Sequence, residues 1–492
     1  MRPPAEISDA LGLLFQPPLQ REPGGPTLPA QIMQRLRLAI LDGRLLPGCR
    51  LPGSRELAQR LGVSRNSVTT AYELLGTEGY IMLSRQGTRV AQLHQHQPAT
   101  PLMPQPDAQL AGRLERLKLS QRAADDNAPF RPGVPALSRF PLAAWRRCVD
   151  RALREDGHRL LGYGDPLGEP LLRQAIIQHL ALTRGVRATA DQVVITEGAQ
   201  EALMLCVRLL TNPAERVWLE DPGYRGAVSA FQCGDLKLVP LPVDSEGLCV
   251  PAAQWQQPPR LIYTTPSHQY PSGEVMSVRR RLQLIADAQR CGAWIIEDDY
   301  DSEFRHTGDL IGAMQGLVPQ APVLYMGTFS KTLFPSLRLG FVILPDDLQA
   351  RAAALLQETL RGGHRSEQLA LARFIGSGQF SRHLGRMRRL YRQRRDALLL
   401  ALTNHLKVPY QLTGGDSGMH LTIRLPPAWP DSVIVNAAQA YGMAPGALSH
   451  FYLAAAGENN GLVLGYGNTA EAQFAPLVQR LSQLIAASRL RD

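Results

Sequence analysis

The stretch "VLYMGTFSKTLFPSLRLG", Val323 to Gly340, decides how this chain is read. It opens on a short apolar run that suits a buried strand. Ser330-Lys331 follows at once, and Arg338 comes seven residues later. The chain holds 53 Lys+Arg, yet its only lysines are Lys118, Lys237, Lys331 and Lys407. A lysine kept here, where nearly every other basic position is arginine, needs a chemical reason. A Schiff base requires a primary amine that can lose its proton, and burial lowers the pKa of such an amine.

From residue 191 onward, "QVVIT", "RVWLED", "LKLVPL", "LIYTTP" and "AWIIEDD" are further short apolar runs, with helical segments between several of them. The alternation predicts a mostly parallel sheet covered by helices. Ligands of such sheets bind beyond the carboxyl ends of the strands. "QVVIT" leads there into "EGAQEAL", where Gly198 opens a helix whose free amides suit a phosphate. "AWII" leads into "EDDYDSEF", which clusters Asp298, Asp299, Asp301 and Glu303 around Tyr300. Clustered carboxylates suit a metal ion, or a cation held by one of them. Pyridoxal phosphate needs a lysine, a carboxylate that keeps its ring nitrogen protonated, and a phosphate cradle. All three are present at strand ends.

Composition shifts near residue 91. "AQLHQHQPATPLMPQPDAQL" is rich in Gln and Pro and poor in apolar periodicity, so residues 92–127 are predicted as a linker. It separates a compact Arg-rich segment, residues 1–91, from the α/β region, residues 128–492. Residues 1–90 carry 11 Arg and 7 Asp+Glu, a modest net +4. "LPAQIMQRLRLAILDG" has Ile32, Leu36, Leu38, Ala39 and Ile40 near helical spacing. "SRELAQRLG" is a second helix, with Leu57 and Leu61 on one face and a stop at Gly62. "SRNSVTTAYELLGTEG" is a third, N-capped by Ser64, with Val68, Tyr72 and Leu75 as its buried stripe. The second and third helices, joined by "GVS", make a helix-turn-helix, and "YIMLSRQGTRVA" adds a wing with a Gln86-Gly87 turn. This arrangement aims Ser64, Arg65, Asn66 and Ser67 into a DNA major groove. A guanidinium can bond two atoms of a guanine edge, while hydroxyls and helix N-termini suit phosphates.

"LPGSRELAQRLGVSRNSVTTAYELLGTEGYIMLSRQGTRV" resembles the winged-helix domain of the GntR family of bacterial repressors. That resemblance implies Arg55 and Arg65 as base readers, Arg50, Ser64, Asn66 and Ser67 as phosphate contacts, and Gln86-Gly87 as a wing tip in the minor groove. The C-terminal region resembles the aspartate-aminotransferase-like, fold type I, pyridoxal phosphate enzymes. It implies Lys331 as the Schiff-base lysine, Asp298 on the pyridinium nitrogen and Tyr300 on the ring hydroxyl. The phosphate would be held by the Gly198-Ala199-Gln200 turn, Thr328, Ser330 and Arg338, with Tyr224 of "EDPGY" stacked on the ring. Tyr163 of "YGDPLGEPLLR" matches a tyrosine that reaches the neighbouring subunit's phosphate, which implies a homodimer. A GntR-type reader joined by a Pro/Gln linker to an aminotransferase-like domain is the layout of the MocR/GabR family of regulators. The family implies double-stranded promoter DNA and a small-molecule effector as partners, the effector being pyridoxal phosphate itself, an amine or an amino acid.

Two departures matter. Aminotransferases usually carry a carboxylate-binding arginine near the C-terminus. In "GLVLGYGN" Val463 takes its place, and valine cannot make the bidentate contact. Ordinary amino-acid transamination is therefore not expected, although Arg225 offers a substitute guanidinium. "HQYPSG" replaces the usual N-P-T-G turn, with His268 beside the cofactor as in MocR regulators. The alternative reading is a working aminotransferase with an attached DNA-binding module.

The net charge of +10 favours an anionic partner, though an arginine-biased composition alone produces it. "SRHLGRMRRLYRQRRDAL" reads as an exposed helix with a solvated basic face, or else as a second anion or DNA-backbone surface. No apolar run is long enough to span a membrane, and the N-terminus has no signal pattern. The six cysteines lack CxxC or His partners at metal spacing. They read as reduced, mostly buried thiols of a cytoplasmic protein without a metal site.

Overall fold

The computed structural model describes residues 14–21, 24–84, 86–92, 111–115, 125, 127–308, 311–360, 362–454 and 459–489. Contacts divide the chain into two units, Met1–Gln109 and Leu110–Asp492. The predicted linker, residues 92–127, lies largely outside the described residues.

In the first unit, helix α1 (Leu28–Leu41) buries Ile32, Leu36, Ala39 and Ile40. Leu38, expected on the same face, is 45% exposed. It stands two residues from both Leu36 and Ile40, about 200° round the helix from each. Helix α2 (Ser54–Leu61) stops at Gly62, which turns left-handed with φ 63°. Helix α3 (Arg65–Thr77) is capped by Ser64, whose Oγ accepts from the Ser67 amide at 3.1 Å. Its stripe of Val68, Ala71, Tyr72 and Leu75 is buried. Strands β1 (Ile81–Ser84) and β2 (Gly87–Val90) pair antiparallel, with Ser84 opposite Gly87. The wing tip therefore falls one residue earlier than predicted. Gln86 lies in the turn and Gly87 already begins β2.

The second unit carries an eight-stranded sheet. Its strands are β3 (Val193–Thr196), β4 (Arg216–Asp221), β5 (Lys237–Asp244), β6 (Gly247–Leu248), β7 (Leu261–Thr264), β8 (Trp294–Asp299), β9 (Val323–Thr328) and β10 (Gly340–Ile343). They lie in the order β3-β10-β9-β8-β7-β4-β5-β6. From β5 through β4, β7 and β8 to β9 the pairing is parallel. β10 runs antiparallel between β9 and β3. Alternate residues pack into different cores: Val217, Tyr263 and Ile296 into one, Trp218, Ile262 and Ile295 into another. Both faces are thus covered, so these strands read as continuous apolar runs. A smaller antiparallel sheet follows, built from β11 (Gln411–Thr413), β12 (His420–Arg424), β13 (Gly446–Ala447) and β14 (Gly461–Gly465). Its order is β11-β12-β14-β13.

The arginine-rich run forms one helix, Gln379–His405, on which Arg382, Arg386, Arg389 and Arg392 are exposed as expected, whereas Arg388 and Arg395 are half-buried and Arg394 is buried. Arg388 Nε donates to the Glu303 carbonyl at 2.6 Å, Arg392 to His306 at 2.8 Å and Arg395 to Gly415 at 2.9 Å. Arg394 is buried against the Gly467 carbonyl. A guanidinium offers five donors on a long stem, which suits it to satisfy carbonyls of loops that lack a ladder. The cysteines are free. Cys206 is buried, and the other five are half-buried rather than mostly buried.

Candidate functional site

The carboxyl ends of β3, β4, β7, β8 and β9 meet at a cavity of about 440 Å³. Lys331, Asp298, Tyr300, Tyr224, Ala199 and Thr328 line it, as do Tyr263, Thr265, Tyr270, Asp301 and His420. Lys331 comes from the loop after β9, and its Nζ donates to the Gly133 carbonyl at 2.8 Å. Gly133 has φ 75°, and a Cβ there would stand 2.9 Å from Lys331 Nζ, so the amine needs a glycine opposite it. Burial lowers the Lys331 pKa, while Asp301 and Asp298 work against that. A lowered amine pKa is what Schiff-base chemistry requires.

Alternation along β8 sorts the carboxylates that the sequence left equivalent. Asp298 turns to the cavity. Its Oδ2 accepts from Tyr263 at 2.6 Å, and its Oδ1 is buried without a hydrogen-bond partner among the described residues. Burial, then the neighbouring Asp299 and Glu220, push the carboxyl up to about 7, against the pull of Tyr263 and Lys331. Asp299 turns to the other side, where it meets Arg184 Nε at 2.8 Å and the Tyr325 hydroxyl at 2.6 Å. Asp301 bonds His268 Nδ1 at 2.8 Å. One buried carboxylate oxygen thus awaits a cationic N–H, and a pyridinium supplies one.

The phosphate side is built at the turn after β3. Gly198, at φ 82°, begins the helix Ala199–Leu210, whose first amides have no intrahelical acceptor. Arg338 donates to the Glu197 carbonyl at 2.8 Å, beside this turn. A Cβ on Gly198 would stand 3.4 Å from its guanidinium. The Ser330 amide donates to Thr328 Oγ1 at 3.2 Å. Gln200 Nε2 donates one hydrogen to the Gly226 carbonyl at 3.0 Å, which draws its side chain to the start of the helix after Tyr224.

Six expected residues, Gly198, Gln200, Ser330, Arg338, His268 and Tyr163, do not line the cavity wall itself. His268 lies behind Tyr300, ring against ring at 5.7 Å. Tyr163 is 83% exposed. Val463 is buried in β14 opposite Thr422 of β12. Thr422 reaches the Pro271 carbonyl at 2.6 Å, so this face of the small sheet turns toward the "HQYPSG" loop. His268, Asp301 and His420 bring one potential metal-ligating atom each within 4.8 Å of one another. The Gly418 backbone already packs there: a Cβ on it would stand 2.5 Å from Asp301 Oδ2. Sequence reasoning missed Gly133, Tyr263 and Asp301's partnership with His268. Gly133 lies 198 residues from Lys331, with only its place between two prolines as a signal.

In the first unit Arg50, Arg55, Ser64, Arg65, Asn66 and Gln86 are exposed, and Ser67 and Gly87 are half-buried. Arg65 Nε approaches Ser54 Oγ at 3.4 Å, joining the starts of α2 and α3. Gly87 has φ 119°, and a Cβ on it would meet Arg50 Nε at 3.0 Å, so the wing lies directly against Arg50.

A winged-helix reader and a fold type I cavity in one chain define the class: a DNA-binding module joined to an aminotransferase-like domain. Residues 28–90 match the model for bacterial regulatory proteins of the gntR family, and residues 135–451 match aminotransferase class I and II. The chain is 39% identical over 455 residues to the probable rhizopine catabolism regulatory protein MocR of Rhizobium meliloti, covering 89% of each. It is 33% identical to the pyridoxine biosynthesis transcriptional regulator PdxR of Corynebacterium glutamicum, over 96% of this chain and all (100%) of that one. The α-aminoadipate aminotransferase LysN of Thermus thermophilus, solved with N-(5'-phosphopyridoxyl)-L-leucine, superposes with a TM-score of 0.70 at 27% identity. The match covers 77% of this chain and 97% of that one. The chain belongs to the MocR family of helix-turn-helix transcriptional regulators.

Proposed function

We propose that this regulator binds promoter DNA as a homodimer in the cytoplasm and responds to pyridoxal phosphate held at Lys331. The observation that carries the cofactor reading is the unpartnered, buried Asp298 Oδ1 in the same cavity as the Lys331 amine. Pyridoxal phosphate would supply an aldehyde for that amine and an electron-withdrawing ring. Lys331 binds it, Asp298 holds its ring nitrogen, Tyr300 its ring oxygen and Tyr224 its face. The amides after Gly198, with Thr328, Ser330 and Arg338, hold its phosphate.

The cofactor itself is the favoured effector, ahead of an amine or amino acid. Val463 offers no grip on a substrate carboxylate, and the similarity to PdxR spans nearly the whole chain. Exposed Tyr163 and Leu161, at 83% and 84%, suit a subunit interface. Base readout falls to Arg55 and Arg65. Phosphate contacts fall to Arg50, Ser64, Asn66 and Ser67, with Gln86 in the wing turn and Gly87 at the start of β2 beside it. A ligand shifts DNA affinity only if it binds one conformation better than another.

The test is a DNA-binding titration on fragments upstream of neighbouring genes, with and without pyridoxal phosphate, for the wild type and Lys331→Ala. The cofactor is expected to change wild-type affinity and leave the variant's unchanged. An equal response in both would refute the sensor reading. Rapid steady-state transamination of a common amino acid would favour the working enzyme instead.

A further inference from the structure

His268 Nδ1 faces two oxygens at once: Asp301 Oδ1 at 2.8 Å and Tyr300 Oη at 2.9 Å. Asp301 and His268 are both buried. Asp301 Oδ2 and His268 Nε2 have no other hydrogen-bond partner among the described residues. The imidazole is stacked on the Tyr300 ring at an interplanar angle of 26°, which fixes its edge toward both oxygens.

One ring nitrogen carries either a hydrogen or a lone pair, never both. If Asp301 is ionised, Nδ1–H donates to it, and Tyr300 Oη can only accept a share of that same hydrogen. If Asp301 holds the proton, it donates to the Nδ1 lone pair and fills it. In both cases Asp301 takes the position, and the phenolic hydrogen of Tyr300 is left to point elsewhere. Tyr300 and Asp301 both line the cavity, so the cavity is the outlet for that hydrogen.

We propose that Asp301 and His268 are positioning residues that aim the Tyr300 hydroxyl hydrogen into the cavity, onto the ring oxygen of bound pyridoxal phosphate. This aim rests on the cavity taking that cofactor, as proposed above. Without Asp301, the imidazole can move its hydrogen to Nε2 and present a lone pair at Nδ1, and Tyr300 then donates to the imidazole instead of the cofactor.

The test is a pH titration of the visible absorption of the protein-bound cofactor, on the full chain. A donor on the ring oxygen disperses the negative charge that otherwise holds a proton on the neighbouring nitrogen, so losing the donor raises the midpoint. Losing the Asp301 charge alone lowers it. Tyr300→Phe is expected to raise the midpoint by about one to two pH units, and Asp301→Ala to raise it by less, because the lost charge offsets part of the rise. Adding His268→Phe to Asp301→Ala is expected to bring it back down, because no Nδ1 remains to capture the hydroxyl. Asp301→Asn still fills Nδ1 but lacks the charge, so it is expected to lower the midpoint; this variant carries the test if Asp301→Ala does not fold. A midpoint that falls or stays put in Asp301→Ala while Tyr300→Phe rises overturns the inference alone, as does a rise in Asp301→Asn. A wild type that develops no visible band with pyridoxal phosphate overturns the cofactor reading and this inference with it.

Discussion

Asp298→Asn is expected to stabilise the cofactor-free protein at pH 8 while weakening its hold on pyridoxal phosphate. The Asp298 carboxyl is pushed up to about 7 from its ordinary 3.8, chiefly by burial. Between those values the folded protein keeps a proton that the unfolded chain has lost. Stability therefore falls as pH rises from about 4 to about 7, and the full cost stands above 7. Three pH units at about 1.4 kcal/mol each make that cost about 4 kcal/mol. Asparagine carries no charge, and its amide oxygen can accept the Tyr263 bond that Oδ2 takes at 2.6 Å. Its NH₂ then sits where Oδ1 has no partner, at a cost of about 1–2 kcal/mol. The net gain is about 2–3 kcal/mol at pH 8 and vanishes near about pH 5. Cofactor binding moves the other way and offsets that gain, because a charge-assisted bond worth about 1.5–3 kcal/mol is lost. That weakens binding by about 10- to 150-fold. Urea unfolding of cofactor-free protein at pH 8 and pH 5, with an absorbance titration of pyridoxal phosphate, measures both. The reasoning fails if the variant is less stable than the wild type at pH 8, or if its cofactor affinity is unchanged.

Three further perturbations test the remaining parts. Arg65→Ala is expected to weaken operator binding by about 1–3 kcal/mol in a gel-shift titration and to leave binding to random DNA nearly unchanged; an equal loss on both would make Arg65 a phosphate contact. Gly133→Ala forces alanine to φ 75° with its methyl 2.9 Å from Lys331 Nζ. It should cost about 1–3 kcal/mol and reduce the fraction of chains in which borohydride fixes the cofactor on Lys331, read by mass spectrometry. Arg394→Ala strands the buried Gly467 carbonyl, so a loss of about 1–3 kcal/mol of stability is expected with no change in the salt dependence of DNA binding; a shallower salt slope would restore the DNA-surface reading of that helix.

The winged helix was legible because its signals are local. Ser64 caps α3 through a backbone amide three residues on, and Val68, Tyr72 and Leu75 fall at helical spacing. Strands β3, β4, β5, β7, β8 and β9 were legible for the same reason, as apolar runs bounded by turns. β10 was not, because its four residues "GFVI" continue directly from the Lys331 loop with no turn signal of their own. The exposed arginines of the basic helix were legible, but the burial of Arg394 was not, because charge pattern says nothing of which carbonyls lie within reach.

By itself the sequence determined the class of this protein and the chemistry that Lys331 permits, since amine reactivity belongs to the residue type and helix spacing to the chain's own geometry. Only the tertiary structure decided which carboxylate serves that lysine. Asp298, Asp299 and Asp301 are neighbours along the chain, but the pleat of β8 turns Asp298 to the cavity and Asp299 to Arg184, and the loop beyond sets Asp301 against His268. Gly133 and Tyr263 come from distant segments, and a contact across 198 residues leaves no periodic trace in the sequence.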